Sequence, residues 1–364
     1  MKVLVVGGTG PTGPAIVAGL VERNHDVTIC HTGQHELPEL MHLRHIHTDV
    51  RDADALSSTI GRESWDVAIV TYGRLRTIAE TLQGRVGHFL SVGGGPAYRG
   101  YFDPYRHSPA GLAVPVTEDA ATADETDDGK SYRVAATEQR LFELQPEATH
   151  FRYPFVYGPR QLAPREWSIV RRILDRRPHL ILPDDGAVLN TFGYVENLAH
   201  ALLLAVDQPE QAKGEVFNAA DDECLTLRQV AEICAATLGH DWELISIPAP
   251  LARPSWPLLT QPTSHHRVFD TAKLRHRLGY RDKVPARDAV ARTAHWWAEH
   301  PPEDGGQTEQ ILEDPFDYPN EDRLVAWWRR VIADQPVIDW KWPPGYGLAY
   351  AGPGTSYQRD DNRI

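Results

Sequence analysis

Cysteine is scarce in this chain: three in 364 residues (Cys30, Cys224, Cys234), with no paired spacing. That argues against a disulfide framework and a cysteine-built zinc site, and it fits a reducing compartment. Long apolar runs are missing too. The N-terminal one, VLVV at 3–6, stops at glycines and is too short for the apolar region of a signal peptide. No stretch approaches the roughly 18 apolar residues that a membrane span needs, so the expected address is the cytoplasm. Basic charge is in short supply, with 37 Lys and Arg against 50 Asp and Glu and a net charge of −13. Nucleic acid and anionic membranes select the opposite sign, so neither is expected as a partner.

The remaining composition is ordinary for a globular protein, 41% hydrophobic and 24% charged. The length suits one large domain or two modest ones. VLVV (3–6), DVTI (26–29), RHIH (44–47), DVAIV (66–70), VGHFLSV (86–92) and ATHFRY (148–153) read as strands. PAIVAGLVER, DADALSSTI, RLRTIAETLQ and residues 131–144 read as helices between them. Such alternation predicts βαβ units: an α/β fold with a Rossmann-type, doubly wound parallel sheet. Further on, WSIVRRILDRR (167–177) and VENLAHALLLAVD (195–207) are helical and EVFNAA (215–220) is a strand. Thr226 and Gln229 form a capping-box pattern for a helix ended by Gly239. Proline-rich 248–262 reads as a loop or linker, and the acidic run 117–129 as a solvated loop. Residues 301–364 are rich in proline, glycine and acidic residues. Tryptophans crowd the C-terminal third, among them Trp296–Trp297, Trp327–Trp328, Trp340 and Trp342. That much aromatic surface predicts packing as a lid, on the substrate lobe, or on another subunit.

The segment VLVVGGTGPTG sets Gly7, Gly10 and Gly13 after a strand and at the opening of a helix. Glycines there permit a tight turn, close approach of a pyrophosphate, and helix–strand contact. Thr9, Pro11 and Thr12 complete the loop. The expected ligand is NAD(P). At the end of the second strand, where a carboxylate would hold ribose hydroxyls, stand Cys30, His31 and Thr32. The missing carboxylate leaves room for a phosphate and tips the expectation towards NADP.

On five segments in order, the chain resembles the extended short-chain dehydrogenase/reductase family, also called the NAD-dependent epimerase/dehydratase family. GGTGPTG, HIHTDVRD, PVTEDA (115–120), FRYPFVYGPR (151–160) and NTFGYVENLAHALLLA (190–205) carry the likeness, with VFNAADDECLTLRQVAEI after them. The resemblance covers roughly 1–300. It implies that Asp49 and Val50 flank the adenine, and that Pro154, Phe155 and Val156 lie along the nicotinamide. It also implies cofactor contacts from Thr71, Tyr72, Val92 and Gly93. Members use a Ser or Thr, a Tyr acid–base, and a Lys four residues later that activates the Tyr. Here Tyr132 fits the tyrosine, Gly94 stands at the serine position and Ala136 at the lysine position. Three replacements present themselves: Arg133, Lys130, or the cluster Tyr98, Tyr101, Tyr105 and His107. Arginine is a poor proton relay, and amides of the GGG at 93–95 could stand in for a lost hydroxyl.

The expected layout is a cofactor domain at 1–155 plus 187–222, a smaller substrate lobe at 156–186 plus 223–300, and a C-terminal extension at 301–364. The expected activity is an NAD(P)-dependent oxidoreductase, isomerase or lyase acting on a small polar carbonyl or hydroxyl compound. Tyr132, Lys130 and Tyr98 are the candidate catalytic residues. The alternative is a non-catalytic NAD(P)-binding sensor or scaffold. A homodimer stays open. No metal is expected: of His42, His45 and His47 only the last two share a strand face, and no carboxylate or cysteine joins them at ligand spacing.

Overall fold

A computed structural model describes residues 1–34, 36–71, 73–259, 263–339 and 341. The N-terminal part runs β1 (Lys2–Val6), α1 (Gly13–Glu22), β2 (Asp26–His31), β3 (Arg44–His47), α2 (Ala53–Ile60), β4 (Trp65–Val70), α3 (Leu75–Thr81), β5 (Val86–Gly94), α4 (Gly129–Leu144) and β6 (Thr149–Tyr153). Then come β7 (Phe155–Tyr157), α5 (Arg165–Leu174), β8 (His179–Pro183), β9 (Phe192–Tyr194), α6 (Val195–Asp207), α7 (Pro209–Ala212) and β10 (Val216–Asn218). The chain continues through α8 (Leu227–Thr237), β11 (Glu243–Ile247), α9 (Trp256–Leu259), α10 (Ala272–Leu278), α11 (Ala286–Glu299), α12 (Gln307–Leu312) and α13 (Tyr318–Ala333).

Seven strands form one parallel sheet in the order β10-β6-β5-β4-β1-β2-β3. The doubly wound expectation holds. Because successive side chains in a strand point to opposite faces, β1 feeds two cores. Val3 and Val5 pack with α1 and α6, whereas Leu4 and Val6 face Leu56, Ile78 and Leu141 of α2, α3 and α4. Cover on both faces is what a parallel sheet requires.

A second core lies within the same compact unit, Met1–Asp317. Trp167, Ile169 and Val170 of α5 meet Val230 and Cys234 of α8 and Val290 and Trp297 of α11. Two short parallel pairs, β11–β8 and β7–β9, complete it. The sequence did not announce these strands, which are three to five residues long. Three other expectations change. Proline-rich 248–262 contains α9, which buries Leu258 and Leu259; residues 260–262 lie outside the described set. The acidic run is anchored rather than wholly solvated: buried Asp127 pairs with Arg99 and His107, and Asp128 caps α4. Residues 301–317 belong with the body of the chain, since Met1–Asp317 forms one compact unit and Tyr318–Ile364 another. A buried pair, Arg172 with Asp314 at 2.7 Å, ties that stretch to α5. Trp340 and Trp342 lie outside the described residues. Among the described residues, no helix is long and apolar enough to cross a membrane.

Candidate functional site

The glycine loop sits at the carboxyl end of β1, where parallel sheets receive ligands. Gly7, at φ +92°, donates its amide to Cys30 O at 3.1 Å, and Gly10 donates to Gly7 O at 3.1 Å. The tight turn therefore uses a conformation that suits glycine. Gly13 has a different reason. A Cβ there would lie 2.3 Å from the Gly8 carbonyl, so only a bare backbone lets α1 come this close. α1 begins at Thr12 without a side-chain cap; the Gly13 amide donates to Gly10 O at 2.9 Å and Pro14 has no N–H, so the first turn offers the Ala15 amide to an incoming anion. Thr71 grips the loop from β4, its hydroxyl reaching Val6 O at 3.2 Å and Gly7 O at 3.3 Å. These features fit a dinucleotide pyrophosphate.

A cavity of about 370 Å³ opens beside the loop, walled by Val70, Thr71, Gly73, Leu75 and Val92 with Arg51 and Arg74. Val50 is buried, while Asp49 is exposed and accepts the Arg51 amide. The two arginines were not singled out in the sequence; Arg51 follows directly on the quoted Asp49–Val50. Tyr72 lies outside the described residues. Pro154 is buried, and Phe155 and Val156 are half-buried, with the Arg165 guanidinium 3.4 Å from the centre of the Phe155 ring. Around β2 the sequence reading changes. His31 is buried, and the fold returns a carboxylate to it: Glu36 Oε1 lies 3.7 Å from His31 Nε2. The inclination towards NADP rested on there being no such group.

The three catalytic candidates separate. Tyr132 occupies the first turn of α4 and is 37% exposed; among the described residues its hydroxyl has no hydrogen-bond partner, and no lysine stands one turn on. Lys130 turns elsewhere, its ammonium 4.1 Å from the centre of the Phe102 ring. Tyr98 is fully buried, and its hydroxyl donates to Asn218 Oδ1 at 2.7 Å. Burial pushes that phenol up, the wrong direction for a base at neutral pH. Tyr98 thus belongs to a buried strut. The Arg152 guanidinium lies 4.6 Å from its ring centre and donates to both oxygens of Glu138, at 2.9 and 2.6 Å. Burial pushes the Glu138 carboxyl up, but the Arg152 bonds and charge bring it net below its ordinary value. His107 is likewise structural, holding Asp127. The glycines at 93–95 serve packing more than substrate approach. A Cβ on Gly93 would lie 2.4 Å from His150 Nε2, and one on Gly95 would lie 2.1 Å from Phe269.

A second cavity, of about 380 Å³, is lined by Tyr105, Leu112, Val114, Asp184, His265 and His266 among others. The two histidines, unremarkable in the sequence, are placed by the fold in its wall. Leu189 donates its amide to His266 Nδ1 at 3.0 Å, and the His265 ring meets Tyr105 edge-on at 4.9 Å.

Residues 135–220 match the model of the NAD dependent epimerase/dehydratase family. The "Chloroplast stem-loop binding protein of 41 kDa b" of Arabidopsis thaliana is 25% identical over 255 residues, which cover 65% of this chain and 63% of that protein. The chain thus spans under two thirds of that relative. Among solved structures, the UDP-glucose 4-epimerase of Thermotoga maritima with UDP-glucose superposes with a TM-score of 0.65 at 18% identity, covering 82% of this chain and 99% of the other. The UDP-glucuronic acid 4-epimerase of Bacillus cereus, in complex with UDP-glucuronic acid and NAD, gives 0.64 at 16%, covering 82% and 100%. Residues 135–220 are thus similar to the NAD dependent epimerase/dehydratase family, and the fold of the chain is that of the solved UDP-sugar epimerases.

Proposed function

We propose that this chain is a cytoplasmic NAD(P)-dependent enzyme of the epimerase, dehydratase or reductase kind, acting on a small polar hydroxyl or carbonyl compound. The observation that carries the reading is the glycine turn at the carboxyl end of β1, where Gly13 tolerates no side chain and α1 comes against the Gly8 backbone. Gly7, Gly10, Gly13 and Thr71 would hold the pyrophosphate, with Val50 beside the adenine and Phe155 and Val156 near the nicotinamide. When bound, such a cofactor exchanges a hydride with a carbinol carbon. The chain's own part is to position the substrate and to handle its proton. Our candidate for that task is Tyr132, whose side chain is 37% exposed at the start of α4. Without the lysine, its activation has to come from the substrate complex. Sugar nucleotides, the ligands of the structural neighbours, are the first compounds to try. Glu36 beside His31 makes NAD as well supported as NADP.

A second reading rests on the same tyrosine. Lacking a cation partner, Tyr132 would suit a protein that binds the dinucleotide without turnover. Mass spectrometry of the purified chain tests the shared premise through co-purified NAD or NADP; absence of both, with no binding at millimolar concentration, overturns it. Turnover assays with UDP-sugars then divide the readings. In the enzyme, Tyr132→Phe lowers kcat by about 10²-fold or more with cofactor affinity unchanged. Unchanged turnover removes Tyr132 from the chemistry.

A further inference from the structure

Three imidazoles and one carboxylate converge at the carboxyl ends of β2 and β3. In the parallel pairing of these strands, His31 lies opposite His47, and His45 is two residues back on the same strand as His47. The strand period of two therefore puts His45 and His47 on one face. The loop after β2 brings Glu36 back over them. His31 Nε2 and His45 Nδ1 are 2.8 Å apart, and His47 Nε2 and Glu36 Oε1 are 2.9 Å apart. Glu36 lies 3.7 Å from His31 Nε2 and 3.8 Å from His45 Nδ1. One donor atom from each of the four residues can be chosen so that all lie within 4.8 Å of one another.

We propose that His31, His45, His47 and Glu36 form a binding site for a transition-metal dication of the zinc class. Tetrahedral coordination with bonds of about 2.0–2.1 Å separates neighbouring donors by about 3.4 Å. The contacts of 2.8, 2.9, 3.7 and 3.8 Å bracket that spacing, so at each of them closure needs a side-chain adjustment of well under an ångström. The donor set, three nitrogens and one oxygen, selects Zn²⁺, Co²⁺, Ni²⁺ or Cu²⁺ over Mg²⁺ and Ca²⁺, which favour oxygen cages. An outer contact already orients one ligand. His45 Nε2 lies 2.9 Å from Leu40 O; donating there fixes the ring so that the Nδ1 lone pair points into the cluster. His31 asks for one change: its Nδ1 now faces the Gly33 amide at 3.3 Å, and metal at Nε2 moves the ring proton to Nδ1 and opens that contact. Entry is from solvent, because the His47 side chain is 54% exposed and that of Glu36 36% exposed, over the buried His31. The competing account is a hydrogen-bonded cluster only. It employs His31, His45 and the Leu40 carbonyl, and leaves the gathering of His47 and Glu36 as a surface ion pair.

The test uses the full-length, untagged chain stripped by chelator. Zn²⁺ is titrated in competition with a chromophoric chelator, and Co²⁺ is added separately to read its visible absorption. The expected result is one equivalent of Zn²⁺ bound at micromolar free metal or tighter, intense Co²⁺ bands of a tetrahedral site, and a raised thermal midpoint. His47→Ala and Glu36→Gln, both at solvent-open positions, each weaken binding at least tenfold, and His42→Ala leaves it unchanged. Failure to take up Zn²⁺ at micromolar free metal overturns the site, as does uptake that is the same in wild type, His47→Ala and Glu36→Gln. The titration is made on dinucleotide-free protein, because His31 and Glu36 also stand at the end of β2, where a dinucleotide's ribose would lie.

Discussion

Gly13 and Gly93 look alike in the sequence and do different jobs. Gly13 lets α1 touch the Gly8 backbone at the cofactor loop, whereas Gly93 makes room for the ring of His150 inside the sheet. A methyl at Gly13 has nowhere to go, because its neighbour is backbone rather than a movable side chain. Gly13→Ala is expected to cost about 1–3 kcal/mol of stability and to weaken dinucleotide binding at least tenfold, as read by calorimetric titration beside a melting curve. A variant that binds as the wild type does would separate the glycine from the cofactor. The loop was legible because glycine spacing is a local signal. The role of Tyr98 was not, since its partner Asn218 lies 120 residues away and nothing in AYRGYFDPYRH distinguishes a buried phenol from an open one. Glu36 is close to His47 in sequence and was missed for another reason: nothing in the loop between β2 and β3 signals that its carboxylate folds back over the histidines.

Elements with a full period of their own could be read to the residue. RHIH at 44–47 and VENLAHALLLAVD at 195–207 coincide with β3 and α6, and the Thr226–Gln229 capping box is present. The short strands β7, β8, β9 and β11 could not, because they pair outside the main sheet's βαβ succession and their pairing depends on the surrounding packing. The α12 region was assigned to an extension for a similar reason: its tie to α5 is made by side chains. Arg172 donates to Asp314 at 2.7 and 3.1 Å, and Trp167 donates to Glu309 at 2.8 Å, all buried. Removing one partner strands the other in the core. Asp314→Ala is therefore expected to cost about 3–5 kcal/mol, measured by urea unfolding, and Arg172→Met combined with it should recover part of the loss. Simple additivity of the two substitutions would deny the pair.

Across the whole molecule, buried titratable groups pull stability in opposite directions with pH. Burial lowers His88 and His150 to about 4, and raises Asp221 and Glu166 to about 7. For the histidines the unfolded chain binds more protons between pH 4 and 6.5, so their contribution is lost as pH falls through that window. For the carboxyls the folded chain binds more, so theirs is lost as pH rises towards 7. A difference measurement isolates one term. Relative to His88→Gln, the wild type should lose about 3 kcal/mol between pH 6.5 and 4, followed by chemical denaturation at each pH. A constant difference would show that His88 titrates normally in the fold. One further property follows from the strand order. The sheet ends on β3, four residues carrying Arg44, His45 and His47, and on β10, three residues whose Asn218 is already engaged by Tyr98 and Glu118. Short, charged or occupied margins are poor templates for another strand. They guard the folded chain against edge-to-edge aggregation, so a homodimer of this protein would have to form through helix and loop faces rather than by extending the sheet.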